Sequence, residues 1–426
     1  MAFLRHALRW RVLALLRAWL LLPIHSGPLQ MDSGHAEPGQ QICSDWTRKD
    51  GKSAQPADTR NNLGIPDRDQ NRMEDTRKEY EETLKACREL ARQDPETYFP
   101  HVAATLNDLG LLDSEQNRME EARKEYEESL KIYRELVHKD PETYLPNVAA
   151  TLNNLGMLAR NKNQMDEALK TYRELAQKDP ATYLPYVAIT RNNLGVLDSA
   201  QNQTEEARKE YEEALKIYRG LARKNPETYT PYVATMLNNL GNLDSAQNQM
   251  EEARKEYEES LKIYRVLAHK DPETYLGEIA GTLINLGILD RRQNRPGEAR
   301  KDYEEALKTY RELAQKDPET YMPYVAIALT NRGNVAHGPD EARKDYEEAL
   351  EIQRQLAQKD PETYLPEVAL TLNNLGILDR DRNRMAEARK EYEEALKIYE
   401  VFAKQDPEQF TTDVKRLKKS LQELPK

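Results

Sequence analysis

Little in this sequence is suited to holding a metal or carrying out a reaction. Its 426 residues include two cysteines, Cys43 and Cys87, which form no CxxC pair and leave no thiolate metal site. The seven histidines are scattered, with no HxxxH or HExxH spacing. The glycines recur at a fixed interval instead of clustering into a phosphate-binding loop. Acidic pairs such as Glu127-Glu128 are many, but they fall on solvated helix faces. No catalytic residue, cofactor or metal is therefore expected. No stretch alternates with the period of two that a strand requires. The one long apolar run, residues 12–24 (VLALLRAWLLLPI), is interrupted by Arg17. At about 1.5 Å per residue it spans roughly 20 Å, short of a bilayer core of about 30 Å. Positive charge is also in deficit. The formal net charge is −11, and residues 1–31 contribute four arginines and no acid, which leaves −15 for the rest. An acidic body repels phosphate backbones, so a general nucleic-acid binder is not expected.

What is present is periodic. Hydrophobic residues make up 38% and charged residues 32% of the chain, and the mean hydropathy is −0.90. Such a composition fits either disorder or a thin fold with much surface. Strong apolar periodicity from about residue 59 onward favours the thin fold. The phrase TxNNLG or a close variant recurs eight times, with its glycine at Gly64, Gly110, Gly156, Gly195, Gly241, Gly287, Gly333 and Gly376. The intervals are 46, 46, 39, 46, 46, 46 and 43 residues. A second phrase, DPETY, starts at Asp94 and recurs in step, and a third, EARKEYEEALKIYRELA, lies between them.

Each unit reads as two helices. Asp140-Pro141-Glu142 is a helix-start signal, and Pro146 is expected in the first turn of helix A. Val148, Leu152, Leu155 and Leu158 follow at helical spacing. An Asn-containing loop such as Glu115-Gln116-Asn117 then leads to helix B, from about Met119 to Lys139. There Ala122, Tyr126, Ser129, Leu130, Tyr133 and Leu136 make one apolar face, and Glu–Lys pairs at i, i+4 make the wet one. The unit beginning at Asp140 is seven residues short. Two turns removed from helix B would keep its apolar face in phase. The unit beginning at Asp317 loses three residues, expected in the loop around His337-Gly338-Pro339. Tyr98, Tyr144 and Tyr364 of the PETY phrase are expected to pack between units.

With Leu109-Gly110, Ala122 and Tyr126 recurring as Leu240-Gly241, Ala253 and Tyr257, and as Leu375-Gly376, Ala388 and Tyr392, the chain resembles a tetratricopeptide-repeat protein. It is similar to the lengthened repeats of kinesin light chain arrays. The resemblance covers residues 59–405. It implies an all-α fold: a right-handed superhelical solenoid of about eight helix pairs, closed by a C-terminal capping helix. Gly110, Gly156, Gly195, Gly241, Gly287 and Gly376, with Ala122, Ala207, Ala253, Ala299 and Ala388, would be the structural repeat positions. The glycine and alanine would let two backbones approach, and the aromatic would fill the space beside them. There are departures. The family's Tyr three residues after the glycine is mostly Asp here (Asp113, Asp198, Asp244, Asp290, Asp379), and Arg332 replaces the Leu before Gly333.

The expected organisation is a basic and apolar segment at 1–26, a Gly/Ser/Pro/Gln-rich linker at 27–58, the solenoid at 59–405 with a degenerate first repeat, and a capping helix at 406–426. The first segment reads as an export signal, a surface or partner helix, or an extension preceding a start at Met31. Membrane contact is expected only through it. The body reads as cytoplasmic unless that segment exports it.

The resemblance implies a protein-interaction scaffold that binds an extended peptide in the groove lined by helix A. The residues before Leu-Gly are candidates for that contact: Asn107, Asn153, Asn154, Asn192, Asn193, Asn238, Asn239, Asn285, Asn373 and Asn374. An amide both donates and accepts, so a ladder of them suits a peptide backbone. The alternative is that these amides bridge adjacent helices. Arg160, Arg291 and Arg380 share one sequence register and are expected either to steer an acidic segment of a partner or to sit beside the last carbonyls of a helix. The alternative functions are a regulatory or self-association domain acting with a separate catalytic chain and, with less support, an RNA-binding helical repeat.

Overall fold

The computed structural model describes residues 70–425, and every element among them is an α-helix or a short connection. The basic and apolar segment at 1–26, the linker at 27–58, Cys43 and the first helix A expected around Gly64 lie outside the described residues. The contact pattern divides the chain into two compact units, Met1–Glu256 and Tyr257–Lys426.

The first unit contains α1 (Gln70–Ala91), α2 (Pro95–Glu115), α3 (Met119–Val137), α4 (Pro141–Leu158), α5 (Lys162–Lys178), α6 (Pro180–Ala200), α7 (Thr204–Ala222) and α8 (Pro226–Ala246). The boundary falls within α9 (Met250–Ala268). The second unit continues with α10 (Pro272–Arg292), α11 (Pro296–Lys316), α12 (Pro318–Gly333), α13 (Pro339–Lys359), α14 (Pro361–Asp381), α15 (Met385–Gln405) and α16 (Pro407–Glu423). Within each unit every helix packs on its neighbours in sequence, and α2, α4 and α6 also touch in succession. Even-numbered helices are the A helices of the repeat and odd-numbered ones the B helices. This is an all-α repeat solenoid.

The DPETY phrase builds the start of helix A. Asp140 is the N-cap of α4: its carboxylate accepts the Thr143 backbone N–H at 3.2 Å and the Thr143 hydroxyl at 2.6 Å, and Pro141 occupies the first helical position. Asp94, Asp271, Asp317 and Asp360 repeat the arrangement, as does Asn225. These threonine bonds hold the Asp94, Asp140 and Asp179 carboxyls below the ordinary aspartate range. The cap also corrects one expectation. Because α4 begins at Pro141, Pro146 lies in the second turn of the helix, inside it.

Helix A ends on a left-handed residue. In α2 the N–H of Asn117 reaches the Ser114 carbonyl at 3.1 Å and that of Arg118 the Asp113 carbonyl at 2.8 Å. Asn117 has φ 61°, the conformation that asparagine tolerates better than other side-chain-bearing residues. Asn202, Asn248, Asn294 and Asn383 stand at the same place with the same sign of φ. The asparagines of the loop are thus helix terminators.

Between the two helices of a repeat the glycine meets the tyrosine. A Cβ built on Gly110 would lie 2.9 Å from the Tyr126 ring and 3.2 Å from the Ala122 carbonyl. At Gly195, Gly287, Gly333 and Gly376 the nearest ring atom of Tyr211, Tyr303, Tyr346 and Tyr392 would be 2.5 to 2.7 Å away. The alanines Ala122, Ala207, Ala253, Ala299 and Ala388 are all fully buried. Between repeats, Tyr144 meets Tyr133 with ring centroids 6.3 Å apart.

The shortened repeat is shortened differently from the expectation. Helix α4 has 18 residues against 21 in α2, and α5 has 17 against 19 in α3. The deletion therefore removes about a turn from each arm of the hairpin, with α5 starting later relative to its tyrosine. Met165 takes the place of the packed tyrosine, its Cγ 2.5 Å from where a Gly156 Cβ would be. Losing one turn from each of two antiparallel arms keeps both apolar faces in register. In the other short repeat, α12 stops at Gly333 after 16 residues, and residues 334–338 form a longer connection.

Helix α16 lays Phe410 and Leu417 into the core, and Phe410 meets Tyr399 at 5.8 Å and Phe402 at 5.3 Å between ring centroids. Lys415, Lys418 and Lys419 stay exposed.

Candidate functional site: the amide row of helix A

The Asn-Asn dipeptide sits in the middle of helix A, one and two residues before the leucine that packs on helix B. The leucine must face inward, so helical spacing puts the asparagines toward the neighbouring A helices. In the first unit they join into one chain of hydrogen bonds running in a single direction. Asn239 donates to Asn192 (2.8 Å), Asn192 to Asn193 (3.4 Å), Asn193 to Asn153 (3.2 Å), Asn153 to Asn154 (3.5 Å) and Asn154 to Asn107 (3.5 Å). The Thr151 hydroxyl also donates to Asn107, at 3.3 Å. The row crosses α8, α6, α4 and α2. Asn192, Asn193, Asn238 and Asn239 are buried, while Asn107, Asn153 and Asn154 are half-buried. The structure thus joins five of these side chains to Asn107, the end of the row.

In the second unit the dipeptide is intact in α14 (Asn373-Asn374) and broken in α10 and α12. Ile284 precedes Asn285, and Thr330 precedes Asn331. Asn285 and Asn331 are buried. The Asn285 and Asn374 amide nitrogens and the Asn331 amide oxygen have no hydrogen-bond partner among the described residues. Asn373 and Asn374 are half-buried.

The arginines do not form one row. Arg291 and Arg380 lie in the last turns of α10 and α14, half-buried, and Arg380 pairs with Asp381 at 2.8 Å. Arg160 is outside its helix, exposed, with φ 50°. The cause is the short α4, which ends at Leu158 and moves Arg160 into the terminator position filled elsewhere by asparagine.

The aspartate that departs from the family pattern has a partner. Asp113, Asp198, Asp244 and Asp379 are buried, and each accepts a cation from the preceding B helix 36 residues earlier: Arg77 Nε at 2.7 Å, Lys162 at 2.5 Å, Arg208 and Arg343. Asp290 receives Arg295 Nε at 2.8 Å. Where the position is Ala159 or Ala336, the corresponding arginine turns elsewhere. Arg123 pairs with Glu127 at 2.9 Å and Arg300 with Glu341 at 2.5 Å. The signal that could have found this inter-repeat latch is a cation recurring 36 residues before each aspartate, and sequence reasoning missed it.

Outward charges are also matched between repeats. Arg88 meets Glu128, Arg134 Glu167, Arg265 Glu305 and Arg354 Glu394. Lys139–Glu96 and Lys316–Glu273 add a second set near the start of helix A. Exposed pairs of this kind contribute little to stability. They do leave the B-helix surface with much of its charge already matched. Among the described residues no group of His, Cys, Asp and Glu is arranged to hold a metal ion, and no helix is long and apolar enough to cross a membrane.

Repeated helix hairpins stacked on one another, without a strand among the described residues, define a repeat scaffold for protein–protein interaction. Two family models match, both described as tetratricopeptide repeat, one over residues 147–220, 232–312 and 324–400 and the other over 102–141. These matches cover more than half of the chain, which belongs to the tetratricopeptide repeat family. No curated protein matches. Among solved structures, BtubC (BKLC) from P. vanneervenii is 22% identical, with 57% of this chain and 92% of that chain covered and a TM-score of 0.44. The apo form of RapI is 16% identical over 68% of this chain and 97% of that one, with a TM-score of 0.44. The APC/C hetero-tetramer Cut9-Hcn1 is 15% identical over 82% and 54%, with a TM-score of 0.41.

Proposed function

We propose that this protein is a non-catalytic adaptor that holds an extended segment of a partner protein along the helix-A face, with the asparagine row gripping the partner's backbone. The supporting observation is the continuous row from Asn239 to Asn107 across four A helices. An amide has two N–H donors and two oxygen lone pairs. The half-buried Asn153 and Asn154 each use one donor and one acceptor within the row and Asn107 only accepts, so these three keep capacity for a partner backbone, while the buried Asn192, Asn193 and Asn239 hold the row in place. The row also fixes the orientation of every amide in advance, which lowers the ordering cost of binding. Arg291 and Arg380 place cations near the ends of two A helices and would favour acidic residues in the partner. The B-helix surface offers less, because many of its charges are matched between repeats.

The test is selection of binders from a peptide library on the full chain, followed by affinity measurement on a variant with Asn107, Asn153 and Asn154 changed to alanine. These three are half-buried, and equal helicity of the two proteins by circular dichroism is required first. Each lost amide contact should cost about 1 kcal/mol, so the variant should bind roughly a hundredfold more weakly. Unchanged affinity would place the contact on another surface and leave the asparagines as bridges between helices.

A further inference from the structure

One repeat departs from its copies in the residue pair before the buried Val/Ile-Ala of helix A: it alone has glycine first, and it shares the glutamate that follows only with α14. The residue pair before Val-Ala is Pro100-His101, Pro146-Asn147, Pro185-Tyr186, Pro231-Tyr232, Pro323-Tyr324 and Pro366-Glu367 in six repeats. In α10 it is Gly277-Glu278. Packing does not demand the glycine: a Cβ there would make only ordinary contacts, 3.4 Å to the Tyr321 ring and 3.6 Å to its hydroxyl.

Glu278 stands among tyrosines. Tyr310 of α11 stacks on Tyr324 of α12, with centroids 5.2 Å apart and planes at 20°. Tyr321 is tilted against both, 6.4 Å from each. Tyr275 lies one turn before Glu278 on α10; burial raises the pKa of the Tyr275 and Tyr310 phenols, and the nearby Glu278 carboxylate adds a smaller push to both. Tyr275, Tyr321 and Tyr324 are half-buried. Among the described residues the Glu278 carboxylate has neither a hydrogen-bond nor an ion-pair partner. Partial burial without a cation lifts it to about 7. The comparable tyrosine clusters of the first unit, Tyr172 with Tyr186 and Tyr218 with Tyr232, have the stacked rings without a carboxylate at this position.

We infer that Glu278, with the rings of Tyr275, Tyr310, Tyr321 and Tyr324, forms a recognition site for the ammonium group of a lysine side chain presented by the bound partner segment. The chemistry is that of an aromatic cage closed by one acid. Ring faces attract a cation within about 6 Å of their centroids, and a desolvated carboxylate adds a charge-assisted hydrogen bond. A lysine also suits the half-buried approach, because its methylene stem lies along apolar rings while the head reaches the acid. An acidic protein that offers an unpaired carboxylate on a helix A would select a lysine at one register of the segment. The inference rests on the peptide-binding reading and assigns one subsite within it.

The test uses the full chain and ligand-observed saturation-transfer NMR. The probes are N-acetyl-lysine methylamide and its Nε-acetylated form, which has the same stem and no charge. The proteins are the wild type, Glu278→Gln, Tyr324→Leu and, as a control on an exposed acid of α14, Glu362→Gln. The inference predicts saturation transfer to the charged probe with wild type and Glu362→Gln, and at least about tenfold weaker binding with Glu278→Gln and Tyr324→Leu. It predicts no comparable binding of the neutral probe. Equal binding of both probes, equal binding by wild type and Glu278→Gln, or no transfer from wild type would overturn it. A wild type that binds selected peptides through the amide row yet ignores the charged probe removes this subsite alone. A wild type that binds the probe and no peptide removes the backbone-gripping reading and leaves the cation site standing.

Discussion

The same substitution should have opposite signs at two glycines of this chain. Gly220 lies in helix α7, where a Cβ would meet nothing within 4 Å. Gly287 lies in α10, where a Cβ would fall 2.5 Å from Cε1, 2.8 Å from Cδ1 and 2.9 Å from Cζ of Tyr303, a ring with no exposed surface. Alanine in a helix interior is favoured over glycine by roughly 0.5–1 kcal/mol, because glycine loses more backbone freedom on folding. Gly220→Ala should therefore stabilise by about that amount. At Gly287 the gain is opposed by overpacking. The ring would have to retreat about 1 Å to reach an ordinary carbon–carbon separation, within a packed core that resists it. Overpacking of this kind costs about 1–3 kcal/mol, so Gly287→Ala should be a net loss of roughly 0.5–2 kcal/mol. Urea unfolding followed by circular dichroism measures both changes. Repeat arrays couple mainly through neighbours, so hydrogen exchange should place the loss in α10 and α11. Tyr303→Leu in the Gly287→Ala background should recover part of it. Stabilisation of equal size at both glycines would refute the close approach of helices A and B on which the fold rests.

Three further outcomes follow. Arg208→Met should destabilise the first unit by about 3 kcal/mol, since it leaves Asp244 buried beside no cation from α7, and adding Asp244→Asn should restore much of the loss. Stability should fall as pH rises from about 5 to above 8. Glu125 is held up to about 8 and Glu391 to about 7 chiefly by desolvation, so the folded state binds protons that the unfolded state has released, and Glu125→Gln should flatten part of this slope in a thermal-melt series. Below about pH 4 the sign reverses: the carboxyls of Asp94, Asp140 and Asp179 are held low by their threonines, so the stability they contribute is lost as pH falls through their folded values, and Asp140→Ala should speed hydrogen exchange at the start of α4.

Much of this architecture was legible because repetition turns local signals into a pattern. Asp140-Pro141 marks the cap, Gly110 with Tyr126 marks the close approach, and both recur at one interval. The short repeat was harder. A seven-residue gap keeps helical phase whether it is taken from one helix or from both arms of a hairpin, and only the position of Met165 against Gly156 distinguishes them. Arg160 fell into a false register for the same reason. The burial of Asn192 and Asn238 depends on how tightly successive A helices pack, which composition does not encode. Asp113 was noticed as a departure from the family pattern, but its partner Arg77 is 36 residues away, and pairing across a repeat has no local signature. Glu278 looked like one more acid among 74 Asp and Glu residues, and only its ring neighbours set it apart.

A partner segment bound as proposed runs along the helix-A face. The most direct measurement is site-specific photo-crosslinking with a library-selected peptide. A photoreactive side chain replaces either Leu111, which is 44% exposed and one turn along α2 from Asn107, or Lys124, which is exposed on α3. Cross-linking is expected from position 111 and not from position 124. Cross-linking from 124 alone, or equally from both, would contradict a path along the helix-A face.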